Sequence, residues 1–79
     1  MPVPLIALLP GEEAWVVGFR GGRGLSQRLA ELGLTPGQRV RILSAGRGGP
    51  VLVEIRGSRI ALGLGMAAKV LVRRGGWLR

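Results

Sequence analysis

Apolar and polar residues alternate over most of this chain, and in one stretch the period lengthens. Val40 and Ile42 alternate with Arg39 and Arg41, and Val51, Val53 and Ile55 with Glu54 and Arg56. Ile60 and Leu62, then Val70 and Val72, continue the period of two. Such alternation predicts strands with one face turned inward. Glu13 to Arg20 also reads as a strand, from its β-branched and aromatic residues. There Trp15, Val17 and Phe19 share one face and Ala14, Val16 and Gly18 the other. Both faces are nearly apolar, so one is expected to be covered by the helix or a partner. Trp15 and Phe19 are expected on the core side.

The longer period lies at Leu25, Leu29 and Leu32, four and three residues apart and so on one helical face. Gly33 follows, where a helix ends most easily in the left-handed conformation, and Leu34 sits where such a cap places its hydrophobic contact. Thr35-Pro36-Gly37 fits a tight turn, since proline presets its own φ and glycine tolerates a positive one. A helix of roughly nine residues is not stable alone in water and must pack on the strands.

Between these elements the chain is punctuated by turn residues. Met1 to Pro4 is expected to be a loose extended start, and Leu5 to Leu9 a short apolar clip ending at Pro10-Gly11. Gly21 to Gly24 leads into the helix. Ala45 to Pro50, with Gly49 and Pro50 as turn residues, reads as a hairpin-like loop, and Gly57-Ser58 turns the chain again. Leu64 to Ala68 suits a single helical turn, and Gly75 to Arg79 a tail after one domain spanning residues 1–74. About five short strands and one short inserted helix make a mainly β protein. Chains of this kind close into small barrels that remove exposed edges, so a strongly bent barrel with the helix over one opening is expected.

Composition narrows the chemistry. With neither cysteine nor histidine, the chain lacks thiolate ligands, imidazole ligands and the commonest general base. Its four acids, Glu12, Glu13, Glu31 and Glu54, fall on separate elements or point apart, which disfavours a catalytic carboxylate pair or an oxygen cage for a cation. No catalytic residue, cofactor site or metal site is therefore expected. The net charge of +8 favours acidic partners, although eleven of the twelve basic residues are arginine, and arginine also follows genome composition. No segment has the eighteen or more apolar residues of a membrane span, so no direct membrane insertion is expected.

Four segments in order carry a family resemblance: Leu5-x-x-Leu-x-x-Gly11; the Trp15 to Gly21 strand; Arg28-Leu-x-x-Leu-Gly-Leu-x-Pro-Gly37; and Gly48-Gly-Pro-Val-x-Val-x-Ile-x-Gly57, which runs on to Ile60-Ala-Leu62 and Ala67-x-x-Val70-x-Val72. Together they resemble the FeoA family of small cytoplasmic proteins of bacterial ferrous-iron uptake. The resemblance implies an SH3-like β-barrel with an inserted helix. It also implies a partner, the membrane ferrous-iron transporter FeoB with its cytoplasmic GTP-binding domain. The same fold occurs as the C-terminal domain of iron-dependent repressors, so a stand-alone relative of that domain is one alternative to the accessory protein. The chain departs from the family at Gly63, where a basic residue is frequent. A family-level label of transition-metal binding does not translate into ligands here, and direct iron binding is not expected.

Several motifs invite other readings. Gly21-Gly-Arg-Gly24 precedes a helix, yet no Gly-Lys-Ser/Thr follows it, so turn chemistry is preferred to a phosphate loop. Outward arginines suit nucleic acid, but stacking platforms are few, and nucleic acid stays the alternative. Arg23, Arg28, Arg47 and Arg59 are candidates for an arginine supplied to a GTPase, with nothing to single one out. Leu25, Leu34, Leu52, Leu64 and Leu71 exceed the alternating core set and either complete a small core or dock a partner or a second copy. The expected partner-binding residues are Leu25, Arg28, Arg47, Arg59 and Leu64. Trp77 is either an anchor or part of a loose tail.

Overall fold

The computed structural model describes residues 1–45 and 48–75. Arg47 and Trp77 lie outside the described residues. Six strands form one antiparallel sheet: β1 (Val3–Pro4), β2 (Glu13–Phe19), β3 (Arg39–Ala45), β4 (Val51–Ile55), β5 (Ser58–Leu62) and β6 (Val70–Arg74). Their spatial order is β1-β6-β2-β3-β4-β5. A 3₁₀ turn, Leu5–Ala7, follows β1; helix α1 (Arg23–Glu31) separates β2 from β3; a one-turn helix α2 (Leu64–Ala67) separates β5 from β6.

Alternation is legible because β3, β4 and β6 each bury one face. Val40 and Ile42, then Val51, Val53 and Ile55, then Val70 and Val72 are buried with at most 3% exposure. One cluster gathers Val16, Ile42, Val53, Leu62 and Val72 from five different strands, so the sheet curls around a single core. The curl does not close, since the order ends at β1 and β5 and these two do not pair. The expected barrel is thus an open, bent sheet of six strands. The added strand is β1: the start expected to be loose pairs Val3 with Val72 and Pro4 with Leu71.

Helix α1 ends as its sequence dictates. Gly33 has φ +94°, its N–H donates to the Ala30 carbonyl at 3.0 Å, and the Leu34 N–H donates to the Leu29 carbonyl at 2.9 Å. These are the two bonds of a Schellman cap. The cap turns Leu34 back into the core, where it and Leu29 are fully buried. Leu32, expected on the same face, is 38% exposed, because the cap assigns the inward position to Leu34 instead. Pro36 and Gly37, with φ +92° at Gly37 and a 3.0 Å bond from the Gln38 N–H to the Thr35 carbonyl, make a type II turn.

Strand β2 corrects the other expectation. A bulge between Val16 and Gly18 sets Val16 opposite Val72 but Phe19 opposite Val70. The extra residue switches faces. Ala14 and Val16 point into the core before it, and Phe19 packs against the core after it. Trp15 and Phe19 therefore do not share a face, and Val17 is left 38% exposed.

Candidate interaction surface

Polar residues of the strands collect on the outer face of the sheet, and register sets their order. Glu13 on β2 lies opposite Arg41 on β3, Arg41 opposite Glu54 on β4, and Glu54 opposite Arg59 on β5. This transverse row alternates in sign across four strands, the arrangement that favours cross-strand charge pairs. Beside it, half-buried Trp15 has Arg39 and Arg73 as its cross-strand neighbours. The Arg39 Nη1 to Glu13 Oε1 separation is 3.9 Å between well-exposed side chains, so this ion pair contributes little. A shallow cleft of about 300 Å³ runs along this face, lined by Gln38, Arg39, Arg41, Glu54 and Arg56 among others. Arg56 Nε donates to Gln38 Oε1 at 3.0 Å on its rim.

At the other end of the sheet a second polar group acts as a clasp. Glu12 Oε2 accepts from the Leu9 N–H at 2.6 Å, and Glu12 Oε1 accepts from Arg74 Nε at 3.1 Å. Arg74 Nη2 also donates to the Ala7 carbonyl at 2.9 Å. The clasp ties the 3₁₀ turn to the end of β6. The Leu9 N–H bond, more than the nearby guanidinium, holds the Glu12 carboxyl below its ordinary value, against a smaller opposing effect of burial.

Apolar side chains also reach solvent. Ile6 is 45%, Leu9 67% and Leu64 41% exposed. Ile6 and Leu64 stand on the 3₁₀ turn and on α2, which pack against each other. The buried neighbours Leu5, Leu8 and Ala67 root this region in the core.

The described members of the expected partner-binding set fall on three elements. Leu25 is half-buried on α1 and folds back over Gly21, where a Cβ would meet Leu25 Cδ2 at 2.5 Å. Arg28 is exposed on α1, Arg59 on β5 and Leu64 on α2. Of the surplus leucines, Leu34 is core, Leu25, Leu52 and Leu71 are half-buried, and Leu64 is exposed. Gly33, Pro36 and Gly37 make the turns expected of them. In the β3–β4 loop the positive φ falls on Gly48, at +67°, while Gly49 and Pro50 follow it into β4. Sequence reasoning missed Ile6, Leu9 and the Glu12–Arg74 clasp. Gly18, an isolated glycine in an apolar strand, was the available sign of the β2 bulge.

Among the described residues, no three of Asp, Glu, His or Cys come together as a metal site would need, and no helix is long and apolar enough to cross a membrane.

Known proteins share this arrangement. A Methanocaldococcus jannaschii protein provisionally named Fe(2+) transport protein A is 36% identical over 69 residues, which are 87% of this chain and 83% of that protein. The crystal structure of an iron uptake regulatory protein, FeoA, superposes with a TM-score of 0.88 at 39% identity, covering 95% of this chain and 99% of that one. A manganese-dependent transcriptional repressor in complex with manganese matches with a TM-score of 0.86 at 22% identity, over 94% of this chain but 37% of the repressor, and shows the shared fold alone. The SH3-like architecture implied by the resemblance holds, with the sheet open rather than closed. The family model described as the FeoA domain matches residues 3–74, nearly the whole chain, and the chain belongs to the FeoA family.

Proposed function

We propose that this protein is a non-enzymatic accessory of ferrous-iron uptake that works by contact with the membrane transporter FeoB on its cytoplasmic side. Family membership and the iron-transport names of its relatives support the reading. The observation that carries it is the apolar surface at Ile6, Leu9 and Leu64, rooted in the core by Leu5, Leu8 and Ala67. Exposed apolar side chains beside a buried core fit protein docking better than catalysis. Iron is the transporter's cargo in this reading, and the accessory protein holds none.

Capture of the cytoplasmic portions of FeoB by the purified protein, at low salt and at about 0.3 M, tests the proposal. Capture that survives salt and is lost in Leu64→Ser and Leu9→Ser supports it. No capture, with salt-sensitive binding of single-stranded or duplex nucleic acid alongside, would replace it with a nucleic-acid role, because phosphate contacts weaken steeply with salt.

A further inference from the structure

The last strand in the sheet order, β5, ends the sheet with an uncovered edge. Its register with β4 is regular over five pairs, from Ile55 opposite Ser58 to Val51 opposite Leu62, without a bulge. The two-residue turn between them has φ +53° at Arg56 and +82° at Gly57, the type I′ geometry of a tight hairpin. In such a hairpin the flanking pair, Ile55 and Ser58, is hydrogen-bonded, and bonded pairs alternate with non-bonded ones. Ile60 and Leu62 therefore bond to β4, whereas Arg59 and Ala61 direct their N–H and C=O groups away from the sheet. Among the described residues no backbone hydrogen bond from another element reaches these groups. Arg59 and Ala61 are both exposed. Short length, proline, bulges, charged side chains and covering elements are the usual ways of blocking such an edge, and of these β5 carries the charge of Arg59. This five-residue strand has no proline and no bulge, and among the described residues no strand pairs with its outer edge.

Charge selects what can occupy it. The outer row alternates Glu13, Arg41, Glu54, Arg59 and then stops at a positive residue. Among the described residues the ion pairs join Arg39 to Glu13 and Arg74 to Glu12, which leaves the Arg59 guanidinium uncommitted. A strand added at β5 brings a side chain level with Arg59 on the same face, where a carboxylate continues the alternation. A second copy of the chain is disfavoured by a net charge of +8 on each molecule.

We infer that the β5 edge binds an extended acidic segment of another protein as an additional strand. Arg59 and Ala61 supply the backbone hydrogen bonds, and the Arg59 side chain selects a carboxylate. This is strand addition, in which main-chain bonds give affinity and alternate side chains give specificity. It holds whichever protein carries the segment, so failure of the FeoB contact would leave it standing.

The test uses the full chain, labelled with nitrogen-15, and three synthetic peptides: alternating valine and glutamate, the same pattern with lysine, and the acidic peptide interrupted by proline. The acidic peptide is expected to shift the Arg59 and Ala61 amides and, at saturation, to slow their hydrogen exchange about tenfold or more. Ala61→Pro removes an outward N–H that β4 does not use, so it should abolish binding while the rest of the spectrum keeps its dispersion. Arg59→Glu should weaken the acidic peptide about tenfold and favour the lysine peptide. Unmoved β5 amides, equal binding of the proline-interrupted peptide, or binding indifferent to Arg59→Glu would each overturn the inference. So would sedimentation showing a dimer whose β5 amides are already protected. Should Ala61→Pro fail to fold, exchange protection in the unmodified chain and the Arg59→Glu comparison decide.

Discussion

The two edges of this sheet are built on opposite plans. At one edge, β1 is two residues long, contains Pro4, which has no N–H to offer, and leads into a 3₁₀ turn clasped to β6 by Glu12 and Arg74. At the other, β5 is five residues long, regular and uncovered. Proline and short length close the first edge to further pairing. Among the described residues nothing comparable closes the second. In a chain of 79 residues with one small core, an open edge is a hazard unless it is used or guarded by charge, and Arg59 is the charge placed there. The contrast separates the two proposals by chemistry: side-chain docking is assigned to the apolar surface near the guarded edge, and main-chain pairing to the bare backbone of β5.

The comparison can be broken most directly at the root of the open edge. Leu62 is 1% exposed, and Leu62→Ala should cost about 3 kcal/mol, lowering Tm by roughly 10–20 °C in a domain of this size. Ala61→Ser, next door on the outer face, should stay within about 0.5 kcal/mol. Comparable losses in the two variants, measured by thermal melting, would mean that β5 is not anchored by its inner face. A smaller effect is expected at the turn that holds β5 in register. Gly57→Ala places a side chain at φ +82° and should destabilise by about 1 kcal/mol by denaturant titration. Smaller still and opposite in sign, Arg56→Asn relieves a left-handed arginine and should stabilise by about 0.5 kcal/mol despite losing the bond to Gln38.

The guarded edge is sharpened by pH. The Glu12 carboxyl lies below its ordinary value of 4.5 in the folded protein. Protonation therefore favours the unfolded chain, and the stability this group contributes is present above 4.5 and disappears as pH falls through the lowered value. The stability difference between the unmodified protein and Glu12→Gln should accordingly be constant near neutrality and shrink in acid. A difference that grows in acid would remove Glu12 from the clasp. Because the group is on the surface, this is the smallest of the expected effects.

What the sequence determined by itself is local. Leu29, Gly33 and Leu34 specify a helix and its cap because the Schellman bonds span six residues, and Pro36-Gly37 specify a type II turn within four. Val40 and Ile42, and Val51, Val53 and Ile55, reveal their strands because one buried face imposes a period of two. The order and spacing of those pieces sufficed to indicate the family. Tertiary structure decided what depends on which strand lies beside which. The β2 bulge sends Phe19 inward and leaves Trp15 among arginines, through a register set by β6, more than fifty residues away. The clasp joins Glu12 to Arg74 across 62 positions. The identity of the edges is not written in either edge strand, since a strand is an edge only when no neighbour arrives to pair with it. Arg59 looked no different from Arg23 or Arg28 along the chain; the sheet alone placed it at an open end.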